Sequence, residues 1–562
     1  MTTNSSRFQK RRRRAAALAA MAALASGPVL AQTGQPDAGQ TLRQLQQQPA
    51  PSAPTARPTL TLPPETDTGA DASVRFRIAS VQIEGNSLIS SAELRPLVDP
   101  LAGRDASLAE VREAAARITA LYRARGYIVA RAYVPAQELT GGVLRIAIIE
   151  GKLTSSKVDN GSLVGTPVLE GFVASQALGG KPIRSAALDR ELLLIADLPG
   201  VGAVNGVLRP GQEVGSSDLT IAAGPGKARE GDVSIDNYGN RYTGQARLNG
   251  RLDINSPAGL GDRLSLRATY TEEQLLYGRA AWDLPVGGDG WRVGANLSTS
   301  RYDLGREFAN LDADGTAHTG GLYASYPLLR GLNRNVWLRG ALDYRKLKDT
   351  IRVTDTESRK KIKAATFEAY GDLTDAVGGG AYSTWRLGAV LGKLDIDSPD
   401  ALAADQAGPR ADGSYRKVEY GVTRLQALAP RTTAFVSLAG QWAGQNLDSS
   451  EKFVLGGAYG VRAYPQGEGV GDDAWLANIE LRQDLAAGVQ LGVFYDHGHV
   501  KFNHDRYADG ANTATLKGAG VNLAVKYRSV DVKATLAWRT GERAVTAPDR
   551  TPRLWLMASH NF

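Results

Sequence analysis

The chain has 562 residues, a length that exceeds one ordinary hydrophobic core and predicts several domains. It contains no Cys, which excludes disulfides and thiolate metal sites. The formal net charge is +8, but much of it lies before residue 15. The rest of the chain is much closer to neutral, so its charge gives little support to nucleic-acid binding.

The first 31 residues show the features of a secretory signal peptide in the expected order. Residues 10–14 form a basic cluster, and an uncharged Ala-rich run follows from Ala15 to Ala25. Val29 and Ala31 then supply small residues for a cleavage site after Ala31. The alternative is a basic nucleic-acid-binding arm followed by an Ala-rich helix. We expect a signal peptide at 1–31.

Residues 32–75 are rich in Gln, Pro, Thr and Ala, a composition typical of a linker. Prolines from Pro49 onward disfavour regular structure over the second half. The first half predicts a short helix around Asp37 to Gln48, with Leu42 and Leu45 on one side. We interpret the segment as a small movable helix, able to plug a pore, on a Pro-rich tether. Plain disorder is the alternative.

Residues 76–151 predict one small α+β unit. The predicted elements are a strand at 78–83, helices at 91–97 and 107–125, and strands at 127–133 and 143–149. Ser107 and Glu110 form a capping box at the start of the second helix. Residues 152–226 repeat this order, with predicted helices at 168–177 and 185–196 and strands at 201–208 and 219–222. Two copies of one unit in series indicate a tandem periplasmic module.

From residue 227 to 562 the pattern changes to short alternating segments. Leu264 to Tyr270 alternate between apolar and polar residues, and so, less cleanly, do Val530 to Trp538. No stretch after the signal approaches the ~20 apolar residues of a membrane helix, whereas ~9–11 alternating residues suit a tilted membrane strand. The region can supply about 16 such strands. A soluble sandwich or propeller is the alternative. Phe562 closes the last alternating run, as expected of an assembly signal for an outer-membrane barrel.

Two other residue groups could be read as chemical sites. Asp496, His497 and His499 lie close together, but a strand would point the two His side chains away from Asp496. The Asp-Ala-Asp-Gly run at 312–315 lacks the Glu that a calcium loop needs at its twelfth position. No Gly-x-Ser-x-Gly elbow or phosphate-binding loop is present in the sequence. We therefore expect no metal, no cofactor and no catalytic residue.

Motifs spread from residue 76 to Phe562 resemble those of one protein family. They are Gly85-Asn86, residues 122–127, residues 135–137, Glu150-Gly151, residues 236–239 with Thr243, Gly244 and Arg247, residues 455–465, and residues 494–498. Together they are similar to the two-partner secretion transporters, the haemolysin/filamentous-haemagglutinin secretion-activation family of ShlB, FhaC and HecB type. The resemblance implies two polypeptide-transport-associated (POTRA) domains, at 76–151 and 152–226, followed by a transmembrane antiparallel β-barrel at 227–562.

The most specific motif is the run Gly460, Val461, Arg462, Ala463 and Tyr464. It is similar to a family motif on a loop that folds back into the barrel, here around 455–473. In the family the loop Arg pairs with the Asp of a Phe-x-Asp-x-Gly strand. This implies a pair between Arg462 and Asp496, with Phe494 and Gly498 on the same strand face. Two ordinary lumen charges are the alternative. Ala463 stands where the family usually has Gly, and a positive φ there would strain it.

The implied function is transport, not catalysis. A member of this family in the outer membrane of a Gram-negative bacterium would recognise an unfolded partner exoprotein (adhesin, haemolysin or contact-dependent toxin) through periplasmic POTRA domains. It would secrete that partner through its barrel without a nucleotide. Further expected partners are outer-membrane lipid or lipopolysaccharide and the barrel assembly machinery, with a monomeric chain and no nucleic acid. The alternatives are an assembly or insertase factor of the same superfamily, a passive porin, and an outer-membrane hydrolase.

Overall fold

The computed structural model describes residues 36–47, 58–62, 74–176 and 178–562. The signal peptide predicted at 1–31 lies outside these ranges. Within them, no helix is both long and apolar enough to cross a membrane. Two short elements precede the first unit: helix α1 (Ala38–Leu45) and strand β1 (Thr59–Thr61). Asp37 caps α1 by accepting a hydrogen bond from the Gln40 backbone.

The first unit is built on a three-stranded sheet. Its elements are β2 (Arg75–Ile78), β3 (Ser80–Glu84), α2 (Ser91–Leu94), β4 (Arg104–Ser107), α3 (Leu108–Ala124), β5 (Arg131–Tyr133) and β6 (Val143–Ile149). The sheet order is β3-β6-β5, with β3 parallel to β6, and a separate β2–β4 pair lies beside it. The capping box of Ser107 and Glu110 is present, and α3 buries Val111, Ile118 and Tyr122 completely.

Two predicted elements of this unit are shorter than expected. The strand predicted at 127–133 begins only at Arg131. Gly126 has a φ of 87°, and Tyr127 donates back to the carbonyl of Tyr122, so the residues after α3 complete its C-terminal turn. The helix predicted at 91–97 becomes a 3₁₀ turn after Leu94, where Pro96 follows.

The second unit has the same topology. Its elements are β7 (Lys152–Asn160), α4 (Thr166–Gln176), α5 (Ser185–Ala196), β8 (Val201–Pro210) and β9 (Ser216–Pro225). Here β7 runs parallel to β9 and β8 runs antiparallel to it, as β3 and β5 do with β6. The sheet has one additional strand: β1 pairs in parallel with the outer edge of β8, Thr59 opposite Asn205. The N-terminal segment therefore already occupies that edge.

Glu191 on α5 is a buried carboxylate that opposes folding at neutral pH. It is 1% exposed, neither of its oxygens has a hydrogen-bond partner among the described residues, and burial raises its pKa to about 7. Because this pKa is above that of the unfolded chain, stability falls as the pH rises from about 4.5 to 7.

We expect Glu191→Gln to stabilise the second unit by on the order of 3 kcal/mol at pH 7, and to have almost no effect at pH 4. Hydrogen exchange of the α5 amides in the full-length protein measures this difference. Glu170→Gln on the exposed face of α4 is the control. An equal gain at both pH values would contradict the assignment.

The third region is a closed antiparallel barrel of 16 strands, which confirms the predicted fold class. Its strands are β10 (Arg229–Asp236), β11 (Arg247–Asn255), β12 (Arg263–Thr271), β13 (Leu276–Val286), β14 (Trp291–Asp303), β15 (Ala313–Arg330), β16 (Arg334–Ile351), β17 (Thr356–Asp375), β18 (Ala381–Ile396), β19 (Gly413–Ala429), β20 (Thr432–Ala443), β23 (Asp473–Ala486), β24 (Val489–Lys501), β25 (Thr513–Tyr527), β26 (Val530–Arg539) and β27 (Arg553–Asn561). Strand β10 pairs with β27 and closes the barrel. A helix α6 (Pro399–Ala407) and a short hairpin, β21 (Phe453–Val454) with β22 (Val470–Gly471), lie in its loops.

The contacts of the second unit show which end of the barrel faces the two α+β units. Asp197 forms a 2.7 Å ion pair with Arg330, and the Gly165 amide donates to the Gly259 carbonyl at 2.8 Å. Both barrel residues lie at the short turns between strands, so those turns face the same side as the two α+β units. The long loops therefore lie at the opposite end of the barrel.

Candidate functional site in the barrel lumen

The long loop between β20 and β23 folds into the barrel. Residues 454–464 of this loop are buried almost without interruption, and Val461 and Tyr464 are 0% exposed. The β21–β22 hairpin closes its base, and the Val461 amide donates to the Leu455 carbonyl at 2.9 Å to form a tight tip. The loop thus presents Arg462 to the inner face of β24.

The structure brings Arg462 and Asp496 together in a bidentate ion pair. The Arg462 Nε and Nη2 atoms donate to the two Asp496 carboxylate oxygens at 2.9 and 2.8 Å, and the Arg462 backbone amide donates at 2.9 Å. The guanidinium also lies 3.4 Å from the centre of the Phe494 ring. Asp496 is 0% exposed and Arg462 is 8% exposed. Removing either charge would leave the other buried without its main partner.

Two residues of this cluster were not predicted. Glu480 on β23 accepts from Arg462 Nη1 at 2.8 Å, and Asn478 donates to Asp496 at 2.8 Å. Sequence alternation could have indicated them, because Asn478, Glu480 and Arg482 alternate with apolar residues and so share the lumen face. Arg462 is therefore shared between two carboxylates on neighbouring strands.

Small residues let the loop approach the wall. A Cβ atom on Gly498 would lie 2.4 Å from a methyl group of Leu455 and 2.9 Å from the Trp475 carbonyl oxygen, so a larger residue would force the loop or the strand to move. Ala463 does not adopt a positive φ, and the strain that a left-handed conformation would cause is absent. Its Cβ instead faces Gly518 on β25, where an added Cβ would lie 2.4 Å away. The missing side chain of Gly518 on β25 therefore leaves the space that the Ala463 methyl group occupies.

The loop tip also contacts β27 and the loop that follows β10, on both sides of the seam that closes the barrel. Trp555 of β27 donates to the Arg462 carbonyl at 2.7 Å, and Asn240, after β10, donates to the Gln466 carbonyl at 3.2 Å. Tyr464 donates to the Glu542 carbonyl at 2.8 Å. Phe562 lies far from this cluster, at the turn end of the barrel, where its amide and carbonyl bond to Gly231 of β10.

The structure places His497, one of the residues considered above as a metal ligand. His497 lies on the outer face of β24, 5.0 Å from the Trp475 ring, and points away from Asp496. Across the four described ranges, no group of three or more His, Cys, Asp or Glu side chains is arranged to hold a metal ion.

Helix α1 lies inside the barrel, beside the inward loop. Asp37 accepts from Ser449 Oγ at 2.6 Å, Arg43 forms a 2.6 Å ion pair with Glu419, and the Ala38 amide donates to Asp349 at 2.8 Å. Ala38 and Leu42 pack on an apolar cluster of the lumen wall. Between α1 and the second unit lies a cavity of about 1190 Å³. The residues that line it include Arg43 of α1, Leu198 of the second unit and Arg339 of the barrel wall.

We expect deletion of residues 37–48 to raise the single-channel conductance of the purified protein in planar bilayers, because a helix about 10 Å wide then leaves the lumen. Gly39→Leu should give a smaller rise, since a Cβ at Gly39 would lie 2.8 Å from Ser450. Gln46→Ala, at an exposed position of the segment, is the control. Unchanged conductance in the deletion variant would show that α1 does not limit ion flow.

Comparison with known proteins gives one consistent result. The family model for haemolysin secretion/activation protein ShlB/FhaC/HecB matches residues 215–525, and the ShlB-type POTRA domain model matches residues 76–151. The heme/hemopexin transporter protein HuxB of Haemophilus influenzae (strain 86-028NP) is 27% identical over 87% of this chain and 89% of its own length. The outer membrane transporter CdiB of Escherichia coli O6:K15:H31 is 25% identical over 89% and 85%.

Solved structures show the same fold. CdiB from Escherichia coli matches with a TM-score of 0.71 and 22% identity over 94% of this chain and 96% of that one. CdiB from Acinetobacter baumannii matches with a TM-score of 0.60 and 17% identity over 90% and 94%. With a family model that covers more than half of its residues, the chain belongs to the haemolysin secretion/activation protein ShlB/FhaC/HecB family of outer-membrane transporters.

Proposed function

We propose that this transporter secretes one large partner protein, which enters the barrel unfolded from the periplasm. The main support for the proposal is the presence of α1 and the inward loop inside the barrel. The barrel is filled by two segments attached at their ends, helix α1 and the inward loop, and the cavity below α1 reaches the second α+β unit. A passive porin needs neither a helix on an N-terminal tether nor two sheet units at its entrance.

Sheet edges of the two units are the proposed recognition surface. An extended segment of the partner would add a strand there and satisfy its backbone hydrogen bonds. The pairing of β1 with β8 supports this, because it shows that the β8 edge accepts a strand of another part of the chain. In the first unit, β5 and β3 are the outer strands of the sheet. Recognition would begin at the first unit and continue at β8 after β1 leaves.

The Arg462 cluster would hold the inward loop in its resting position. Four hydrogen bonds fix Arg462 to Asp496 and Glu480, and the tip bonds to β27 and to the loop after β10. The proposal assigns to the loop motif 460–464 and the strand residues Phe494, Asp496 and Gly498 a positioning role in transport.

The class of partner follows from the relatives. Their names describe a heme/hemopexin transporter, outer membrane transporters CdiB and a hemolysin transporter. We infer an adhesin, haemolysin or contact-dependent toxin as cargo, and a transporter without catalytic activity or cofactor. The proposal includes a cleaved signal peptide at 1–31, a linker at 32–75, POTRA domains at 76–151 and 152–226, a barrel at 227–562, assembly through Phe562, and a monomeric state without nucleic acid.

The proposal is tested by expressing the full chain with the large exoprotein encoded beside it, in a host that lacks both. We expect the exoprotein in the medium only when both are present. Retention of the exoprotein in the periplasm, together with open-channel conductance of the purified protein, would favour a porin. Defects in the assembly of other barrels on deletion of the native gene would favour an insertase.

A further inference from the structure

The outer wall of the barrel carries a basic face at its loop end. Eight basic side chains lie there, at the loop-side ends of β16 to β19 and the adjoining loop: Lys346, Lys348, Arg359, Lys361, Lys363, Lys393, Arg410 and Arg416. Carboxylates lie among them as well: Glu357, Asp395, Asp397 and Asp412, with Asp400 and Asp405 in the loop that supplies Arg410. We call this set the basic wall. It has an excess of positive charge and faces away from the lumen.

Register places like charges directly opposite each other in the basic wall. Lys346 opposes Lys361, and Lys363 opposes Lys393. Opposite residues of an antiparallel pair have their Cβ atoms about 5 Å apart, and like charges at this distance repel. A chain that places two such pairs side by side gains stability when an anion lies between them.

The carboxylates of the basic wall do not neutralise both pairs. Lys361 bonds to Asp397 at 2.9 Å and Lys393 bonds to Asp395 at 2.7 Å. Lys346 and Lys363 form no ion pair with any described residue. One lysine of each opposed pair therefore has no carboxylate partner at ion-pair distance and can bind an external anion, although Lys346 also lies 5.7 Å from the centre of the Tyr344 ring.

An apolar groove begins directly beside these lysines. The next row of outward-facing residues, on the turn-end side of Lys363 and Lys393, consists of Leu342, Ala365 and Leu391, which lie opposite one another. Both Leu side chains are more than half exposed. The groove has a volume of about 1270 Å³, and Tyr344, Lys363, Lys393 and Arg416 also line it. A floor of this kind suits an acyl chain, and a basic rim suits its phosphorylated headgroup.

The position of the basic wall identifies the leaflet. It lies at the loop end, opposite the end that contacts the second unit, and therefore faces the outer leaflet of the outer membrane. The main anionic lipid of that leaflet is lipopolysaccharide, whose lipid A part has several acyl chains and phosphates on a sugar core. Lys and Arg bind phosphate through charge-assisted hydrogen bonds.

The strands that follow the basic wall around the barrel, β20 to β24, differ at the same level. The outward residues there include Trp442 on β20, Trp475 on β23, and His497 and His499 on β24, with Lys501 and Lys517 as the nearby lysines. The basic wall therefore does not continue onto the outward faces of β20 and β23. A uniform rim of lysines would continue across these two strands.

We propose that the basic wall is a binding site for the phosphorylated lipid A part of lipopolysaccharide. The phosphates bind between Lys346, Lys361, Lys363 and Lys393, and an acyl chain lies on the groove floor between Leu342 and Leu391. This site is independent of the proposed secretion function, since none of its residues faces the lumen.

The test measures binding of purified lipids to the full-length protein in detergent by native mass spectrometry. The probes are lipid A with two phosphates, the same lipid without phosphates, phosphatidylglycerol and inorganic phosphate. We expect the affinity for lipid A to fall at least tenfold when its phosphates are removed. Equal affinity for the two forms would overturn the proposal without any variant. Phosphatidylglycerol bound as tightly as lipid A, or displacement of lipid A by low millimolar inorganic phosphate, would overturn the choice of ligand.

Variants locate the site. The quadruple variant Lys346→Gln, Lys361→Gln, Lys363→Gln, Lys393→Gln should lose at least tenfold in affinity for lipid A, and replacement of the same four residues by Arg should keep most of it. Lys526→Gln with Arg528→Gln, exposed residues at the turn end, is the control and should remain within twofold. Heat-modifiable migration in gels verifies that each barrel is folded. Loss of affinity in the control variant, or none in a folded quadruple variant, would place binding elsewhere.

Discussion

Replacing Arg462 with Ala is expected to abolish most secretion of the partner while the barrel remains in the membrane. The substitution removes the cationic partner of Asp496, which is 0% exposed, and leaves Glu480, which is 4% exposed, with Arg482 only. Loss of one member of a buried charge cluster typically costs about 3–5 kcal/mol. The inward loop would then leave its position, and the contacts of its tip with Trp555 and Asn240 would be lost.

The strand partner gives a second part of this test. Asp496→Ala should also reduce secretion, with more loss of barrel stability because Asp496 lies within β24. In that variant Arg462 would keep its ion pair with Glu480. The double variant should be no worse than the worse single one, since the two residues act as a unit. A secretion assay and the membrane abundance of all four proteins measure this.

Arg424→Ala is the matched control for this experiment. Arg424 pairs with Asp375 at 2.9 Å, and its side chain is 36% exposed. An ion pair with that exposure contributes little, so secretion should stay near the level of the unsubstituted protein. Fully additive defects of Arg462→Ala and Asp496→Ala would show that the two residues act separately, and would contradict the role we assign to the loop.

Deleting residues 76–151 is expected to abolish secretion and leave a folded barrel. The first unit contacts the second, where the Ser185 amide donates to the Gly126 carbonyl at 2.9 Å. The contacts between the second unit and the barrel, such as the pair of Asp197 with Arg330, do not involve the deleted residues. The barrel should therefore remain heat-modifiable while the proposed recognition edge is lost.

The measurement is the amount of partner protein in the medium, with barrel abundance and heat-modifiability measured in parallel. Ser107→Ala is a milder companion, because loss of one helix cap destabilises the first unit by about 1 kcal/mol and leaves its sheet in place. Secretion should persist in that variant. Normal secretion by the deletion variant would show that the first unit does not recognise the partner.

Local patterns predicted the elements of this protein well. The capping box located the start of α3, and alternation at 264–270 and 530–538 marked β12 and β26, because both signals depend on neighbours in sequence. The motifs around Arg462 and Asp496 indicated residues that the fold brings together. Glu480 was not predicted although its strand alternates, because the family motif contains only one carboxylate, Asp496.

Long-range contacts could not be derived from the sequence. Asp37 bonds to Ser449, 412 positions away, and only two apolar residues marked α1 as amphipathic. Lys363 and Lys393 face each other because of the register between β17 and β18. Alternation shows which face each residue is on, but a shift of the register by two residues would keep the same alternation. The lengths of β15 to β18, 16 to 20 residues, also exceed what the membrane alone requires.

The pairing of β1 with β8 sets an order for the arrival of the partner. β1 is connected to α1 and to the first unit by short segments, so it returns to β8 with an effective concentration on the order of millimolar. A partner strand free in the periplasm is far more dilute and would lose this competition. It gains access to β8 once the first unit has captured a neighbouring part of the same chain, because capture raises its own local concentration to a similar level. We therefore expect engagement of the second unit to depend on the first, and not the reverse.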